Sequence, residues 1–218
     1  LKNGLKKTYK KQIKTTMKNL ITIIALTVAS VTVAQEDYSS YTSSYTNKSY
    51  PLSVSYSSPE KYTLYIDALS LDETHKTGGI TLNQNQHESF IASLKEAEQK
   101  YSEWVTTAKS NAVTELDKNM TIKAKSGAYF LYGSKWNFQF TVNLTFNFKV
   151  IDDPSGVEYV LIVRTGRLQS SSNQYMKVDG FVLVFTSQEE ISEFMETIST
   201  QGVTSFINAP KQTELFKD

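Results

Sequence analysis

The chain contains no cysteine in 218 residues. That excludes thiol catalysis, thiolate metal sites and disulfide bridges, so the fold has to be held by its core alone. Histidine is almost as scarce, with only His75 and His87. His87-Glu88 begins like the helical zinc-protease motif, but Ile91 stands where the second histidine ligand belongs. His75 lies near Asp67, Asp72 and Glu73 in a polar stretch, where a solvated loop histidine is favoured over a metal ligand. No serine occupies a Gly-x-Ser-x-Gly elbow. The residue types therefore point to no catalytic residue, no metal and no cofactor.

Positive charge is also missing from most of the chain. Seven of the 23 basic residues lie in the first 34, where there is no acid, which leaves 16 basic against 22 acidic residues in the remainder. Arginine occurs only at Arg164 and Arg167. An acidic domain with two arginines is poorly suited to a phosphate backbone, so nucleic acid is excluded as a partner.

The basic beginning has its own logic. Lys18 precedes an apolar run, Leu20–Val33, and small residues Thr32 and Ala34 stand at −3 and −1 before Gln35. This pattern predicts a secretory signal peptide over 17–34, with residues 1–16 read as upstream of the native start at Met17. The apolar run is shorter than the ~20 residues of a bilayer span, so no transmembrane segment is expected in the mature chain. No cysteine follows it to carry a lipid. An exported domain without disulfides suits a bacterial envelope, periplasmic or extracellular.

The chain from Gln35 onward divides by composition. Residues 35–58 are mostly serine, tyrosine and threonine, which predicts a flexible tether ahead of a single domain over 59–218. Tyr62, Leu64, Ile66 and Ala68 alternate as in a strand, and Gly78-Gly79 reads as a turn. Asn83 and Gln86 form a capping box for a helix over 84–109, whose Phe90, Ile91, Leu94, Ala97, Tyr101 and Trp104 recur at helical spacing.

A β-meander is expected next. Ser126-Gly127 suggests a bend within a strand, and Gly133-Ser134 a tight turn. From Trp136 to Val150 apolar and polar residues alternate, which puts Phe140 and Leu144 together on the inner face. Asp152 to Gly156 reads as a turn. Val157–Val163 and Phe181–Phe185 are apolar on both faces, as central strands are. Ser187 and Glu190 cap a final helix that Gly202 should stop. The expected fold is α+β: an antiparallel β-meander of five to six strands packed with one long and one shorter amphipathic helix.

Two constellations are candidates for binding. Asn137, Gln139, Thr141 and Asn143 form an uncharged amide and hydroxyl row of the kind that binds sugars when tyrosine or tryptophan lies nearby. Arg164 and Arg167 would share one side of a strand if Gly166 made a bulge, and would then clamp a carboxylate or sulfate. The acid pairs Asp152-Asp153 and Glu189-Glu190 read as a turn and a helix start.

The residues Gly78-Gly79-Ile80 with Leu82, Phe90-Ile91, Leu94 to Ala97, Lys100-Tyr101, Glu103 to Val105, Leu131 to Ser134, Arg164-Thr165-Gly166 and the final helical segments resemble a group of exported proteins of Bacteroidota without an assigned activity. The resemblance implies export and carries over no site residue. A meander ending in a helix is also similar to a pleckstrin-homology barrel, from which the helix at 84–109 departs. The leading expectation is a non-enzymatic exported domain that binds an envelope protein or glycan. A hydrolase using carboxylates in a cleft, and an assembly protein without a small ligand, are the alternatives.

Overall fold

In the computed structural model, which describes residues 35–154 and 156–210, the serine- and tyrosine-rich segment is not a tether but sheet. It forms β1 (Gln35–Ser43) and β2 (Lys48–Ser58), paired antiparallel. The tyrosines supply the apolar area that aliphatic residues do not. Tyr41 and Tyr50 are cross-strand partners, stack at 5.2 Å and are both buried, beside buried Leu52 and Val54. The folded unit therefore starts at β1 rather than near residue 59. The expected leader lies outside the described residues.

The other strands are β3 (Lys61–Asp67), β4 (Leu69–Ser70), β5 (Gly78–Asn83), β6 (Leu116–Asn119), β7 (Ala124–Tyr132), β8 (Lys135–Asp153), β9 (Gly156–Thr165), β10 (Leu168–Gln169), β11 (Lys177–Val178) and β12 (Phe181–Phe185). Ten of them form one antiparallel sheet, ordered β1-β2-β3-β5-β7-β8-β9-β12-β4, with β6 on β8. The fold class is α+β as expected, but the sheet has ten strands where five to six were expected. The difference comes from the tyrosine-rich hairpin and from short strands such as β4 and β6, too brief to show a period.

One of these short strands, β4, is the last strand of the sheet path and runs on directly from β3, the third. β3 pairs with β2 and β5, and just past Ala68 the same run of chain, as β4, pairs with β12. The sheet thus returns on itself through a shared strand.

Among the described residues three helices pack on it, where one long and one shorter were expected: α1 (Gln84–Ser110), α2 (Gln188–Thr197) and α3 (Thr200–Asn208). The Asn83–Gln86 capping box opens α1, and Phe90, Leu94, Ala97 and Tyr101 mark its buried stripe. Ser187 caps α2 as expected. The Glu190 side chain turns elsewhere, accepting from the backbone of Ser44 at 2.9 Å and of Thr186 at 2.8 Å. Gly202 does not stop a helix. It lies inside α3, where a Cβ would sit 2.6 Å from the Tyr38 hydroxyl, so close approach explains the glycine. No helix among the described residues is long and apolar enough to cross a membrane.

The long strand β8 departs from the alternation read in the sequence. Its register with β7 runs Ser126↔Val142 and then Ala128↔Gln139, so β8 advances one residue more than its partner. This bulge reverses the faces. Beyond it Leu144, Phe146, Phe148 and Val150 point into the core, while before it Trp136, Phe138 and Phe140 point outward and Asn137 inward. Phe140 is 86% exposed and Leu144 only 4%, so Phe140 does not belong to the inner face.

Candidate functional site

The outward aromatics of β8 meet an acid from β3. One lateral row across four strands carries Asp67, Gly79, Tyr129 and Phe138. Strands two apart are separated by roughly 10 Å, and a tyrosine spans that only by lying over the strand between. Gly79 occupies that strand and offers no side chain to block it. A Cβ there would lie 1.9 Å from the Ile66 carbonyl oxygen, so glycine is required. Gly78-Gly79 is accordingly the start of β5 and not a turn. The Tyr129 hydroxyl reaches the Asp67 carboxylate and donates to it.

Around this pair the aromatic rings are set at angles. Tyr65 stands edge-on to Tyr129 with centroids 5.5 Å apart, and Trp136 lies 5.7 Å from it. Tyr129 is the floor, 4% exposed, while Trp136 and Phe138 are 45% and 42% exposed. Together with Gln35, Asp37 and Ser53 they line a cleft of about 290 Å³ on the outer face of the sheet. Burial raises the Asp67 carboxyl above its ordinary range, and the Tyr129 hydrogen bond partly offsets this. Burial and the adjacent Asp67 charge push the Tyr129 phenol up, which keeps it protonated as a donor. Flat aromatic faces beside a carboxylate and an amide are the groups that hold a sugar: the rings cover its C–H face, and the polar atoms accept or donate to its hydroxyls.

The residues expected from the sequence are placed elsewhere. Asn137 is buried and donates to the Lys135 carbonyl at 2.9 Å. Gln139 accepts from the backbone of Gln169 at 3.2 Å, while Thr141 and Asn143 are exposed. None of the four lines the cleft; the bulge gives the outer face near the cleft to their aromatic neighbours. The arginines are engaged separately. Arg164 donates to Thr145 at 3.3 Å, and Arg167 to Asp179 at 3.2 Å. Arg164 also edges a second groove, about 230 Å³, floored by Val160, Val182 and Val184 on the outer face of β9 and β12.

Neither histidine is free. His75 lies 3.2 Å from Asp72 and stacks on Tyr132 at 4.1 Å. His87 is fully buried between the Tyr62 hydroxyl, 2.7 Å from Nδ1, and the Ile198 carbonyl at Nε2. A carbonyl can only accept, so Nε2 carries the proton and Nδ1 accepts from Tyr62. Among the described residues no three His, Asp or Glu side chains are grouped to hold a metal ion.

The cleft residues Tyr65, Asp67, Tyr129, Trp136 and Phe138 were missed as a group. Two signals pointed to them. The alternation of Tyr62, Leu64 and Ile66 puts Tyr65 and Asp67 on the opposite face, and the bend at Ser126-Gly127 requires a phase change in the partner strand. Comparison of the chain with protein-family models, curated proteins and solved structures found no match.

Proposed function

We propose that the chain is an exported, non-enzymatic domain that binds a glycan in the cleft over β3, β7 and β8. The observation that carries this reading is the angled set Tyr65, Tyr129 and Trp136 closed by the Asp67 carboxylate. Trp136 is half-exposed at the cleft, while Trp104, the other tryptophan, lies away from the cleft, partly buried against Phe148. Its fluorescence therefore reports on the site. Titration with envelope oligosaccharides should quench it, and Trp136→Ala should abolish binding without unfolding the protein. Saturable glycan binding that survives both Trp136→Ala and Phe138→Ala would place the site elsewhere and overturn the assignment.

One observation favours a second reading, a glycoside hydrolase: two carboxylates, Asp37 and Asp67, line the same cleft. Release of reducing ends that Asp67→Asn abolishes would select it. The binding reading is preferred because Asp67 is already held by Tyr129. The other expected partner class, an envelope protein, would find its best surface in the valine-floored groove over β9 and β12.

A further inference from the structure

The cleft carries a charge pattern as well as a shape. Two carboxylates line it, Asp37 from β1 and Asp67 from β3, and among the described residues no lysine, arginine or histidine does. The aromatic rings add to the same sign. The face of a tyrosine or tryptophan ring is the negative pole of its quadrupole, and a cation seated over it is attracted. Here Tyr65 and Trp136 flank Tyr129 at 79° and 41°, so rings of different orientation border one small volume beside Asp67. An anion entering this volume is opposed by rings and carboxylates together. A neutral sugar gains stacking and hydrogen bonds only. An ammonium group gains from both sources, and the partial burial of Asp67 makes its charge count for more than it would in open water.

Residues 35–218 carry 16 basic and 22 acidic side chains, so the surrounding field steers the same class of ligand. We infer that the cleft selects a glycan bearing a free amino group, with the ammonium seated among Tyr65, Tyr129 and Trp136 and paired with Asp67 and Asp37. This rests on the glycan-binding reading of the same cleft and narrows it: uronic acids and sulfated or phosphorylated sugars are excluded, and N-acetylated sugars are weak ligands.

The purified full chain decides the matter by calorimetric titration with three oligosaccharides: a glucosamine tetramer, the corresponding N-acetylglucosamine tetramer and a galacturonate tetramer. The glucosamine tetramer should bind at least about tenfold more tightly than its acetylated counterpart, and the galacturonate should not bind. Asp67→Asn should bring the glucosamine affinity down to that of the acetylated sugar, and Asp37→Asn should lower it by a smaller factor. Raising the ionic strength from about 0.05 to about 0.5 M should weaken the glucosamine complex much more than the acetylated one, which tests the charge contribution without any variant. Equal binding of the amino and acetylated sugars, or binding of the galacturonate, overturns the charge inference and leaves the glycan reading standing. Binding of none of the three overturns the inference, and if neutral and sulfated envelope glycans also fail, the glycan reading falls with it.

Discussion

The Tyr129 hydroxyl donates to the Asp67 carboxylate across Gly79, two strands away. The contact holds a charged group at a partly buried position, and its loss should be felt in a defined direction. Tyr129→Phe leaves Asp67 without that donor, which should cost about 1–3 kcal/mol at neutral pH. The Asp67 carboxyl already lies above its unfolded value, and removing the hydrogen bond raises it further. A raised carboxyl binds its proton more readily in the folded state, so acidification favours folding through this group. The deficit of Tyr129→Phe should therefore shrink as Asp67 protonates. Urea titrations of both proteins near neutrality and at mildly acid pH check this. A deficit that grows on acidification would contradict the assignment.

Gly79→Ala tests the same relationship from the backbone. Its Cβ would meet the Ile66 carbonyl oxygen at 1.9 Å, and backbone does not yield as a flexible side chain does. The expected loss is about 2–4 kcal/mol, at the upper end for a single substitution. Thermal unfolding measures it, and an unchanged midpoint would mean that β3 and β5 are not paired at this position.

The bulge opposite Ser126–Ala128 makes two neighbouring aspartate substitutions differ. Leu144→Asp would bury an unpaired charge and should unfold the protein. Phe140→Asp, on a residue 86% exposed, should change stability by no more than about 0.5 kcal/mol. Circular dichroism melting of the two variants side by side is sufficient. Unfolding by both would restore an uninterrupted alternation along β8.

That strand also shows how far the sequence could be read. The helix opened by Asn83 and Gln86 was legible because a capping box and a long stripe are local signals. So were the apolar runs of β9 and β12. The facing of Trp136, Phe138 and Phe140 was not, because one extra residue in a register moves a whole row to the other side and only the paired strand reveals it. Tyr41 and Tyr50 were misread for a different reason: a segment rich in serine and threonine with few aliphatic residues reads as unable to form a core, yet two tyrosines stacked across a hairpin supply that apolar surface. The Asp67–Tyr129 contact spans 62 positions in sequence, and no local pattern announces a contact over that range.

Glu190 of α2 holds the β1–β2 turn and the residue that follows β12. Its carboxylate accepts from the backbones of Ser44 and Thr186 and from the Thr186 hydroxyl, so it ties the β1–β2 turn to the start of α2. Glu190→Ala would strand two backbone donors and should cost about 2–4 kcal/mol. Glu190→Gln retains an acceptor oxygen and should lose less. Hydrogen exchange adds a local test: the Ser44 amide should lose protection in Glu190→Ala more than amides in the centre of β8 do.

The pH dependence of stability should carry the signature of His87. Its folded-state value is lowered, chiefly by burial, while the Ile198 carbonyl and Glu88 act in the opposite direction. Below about pH 6.5 the unfolded chain takes up a proton that the folded histidine resists. Stability should then fall as the pH drops from about 6.5 towards the folded-state value, because the unfolded state binds more protons there. Protonation would also place an N–H on Nδ1, where Tyr62 now donates, so that hydrogen bond has to reverse. His87→Gln loses packing and should be less stable at pH 7, but it has no ring to titrate. Its free energy of unfolding should be flatter than that of the natural chain across about pH 5.5 to 6.5, a window above the titration of ordinary carboxylates. Parallel slopes for the two proteins would show that His87 takes up its proton in the fold as readily as in the unfolded chain, and would contradict a neutral ring whose Nδ1 accepts from Tyr62.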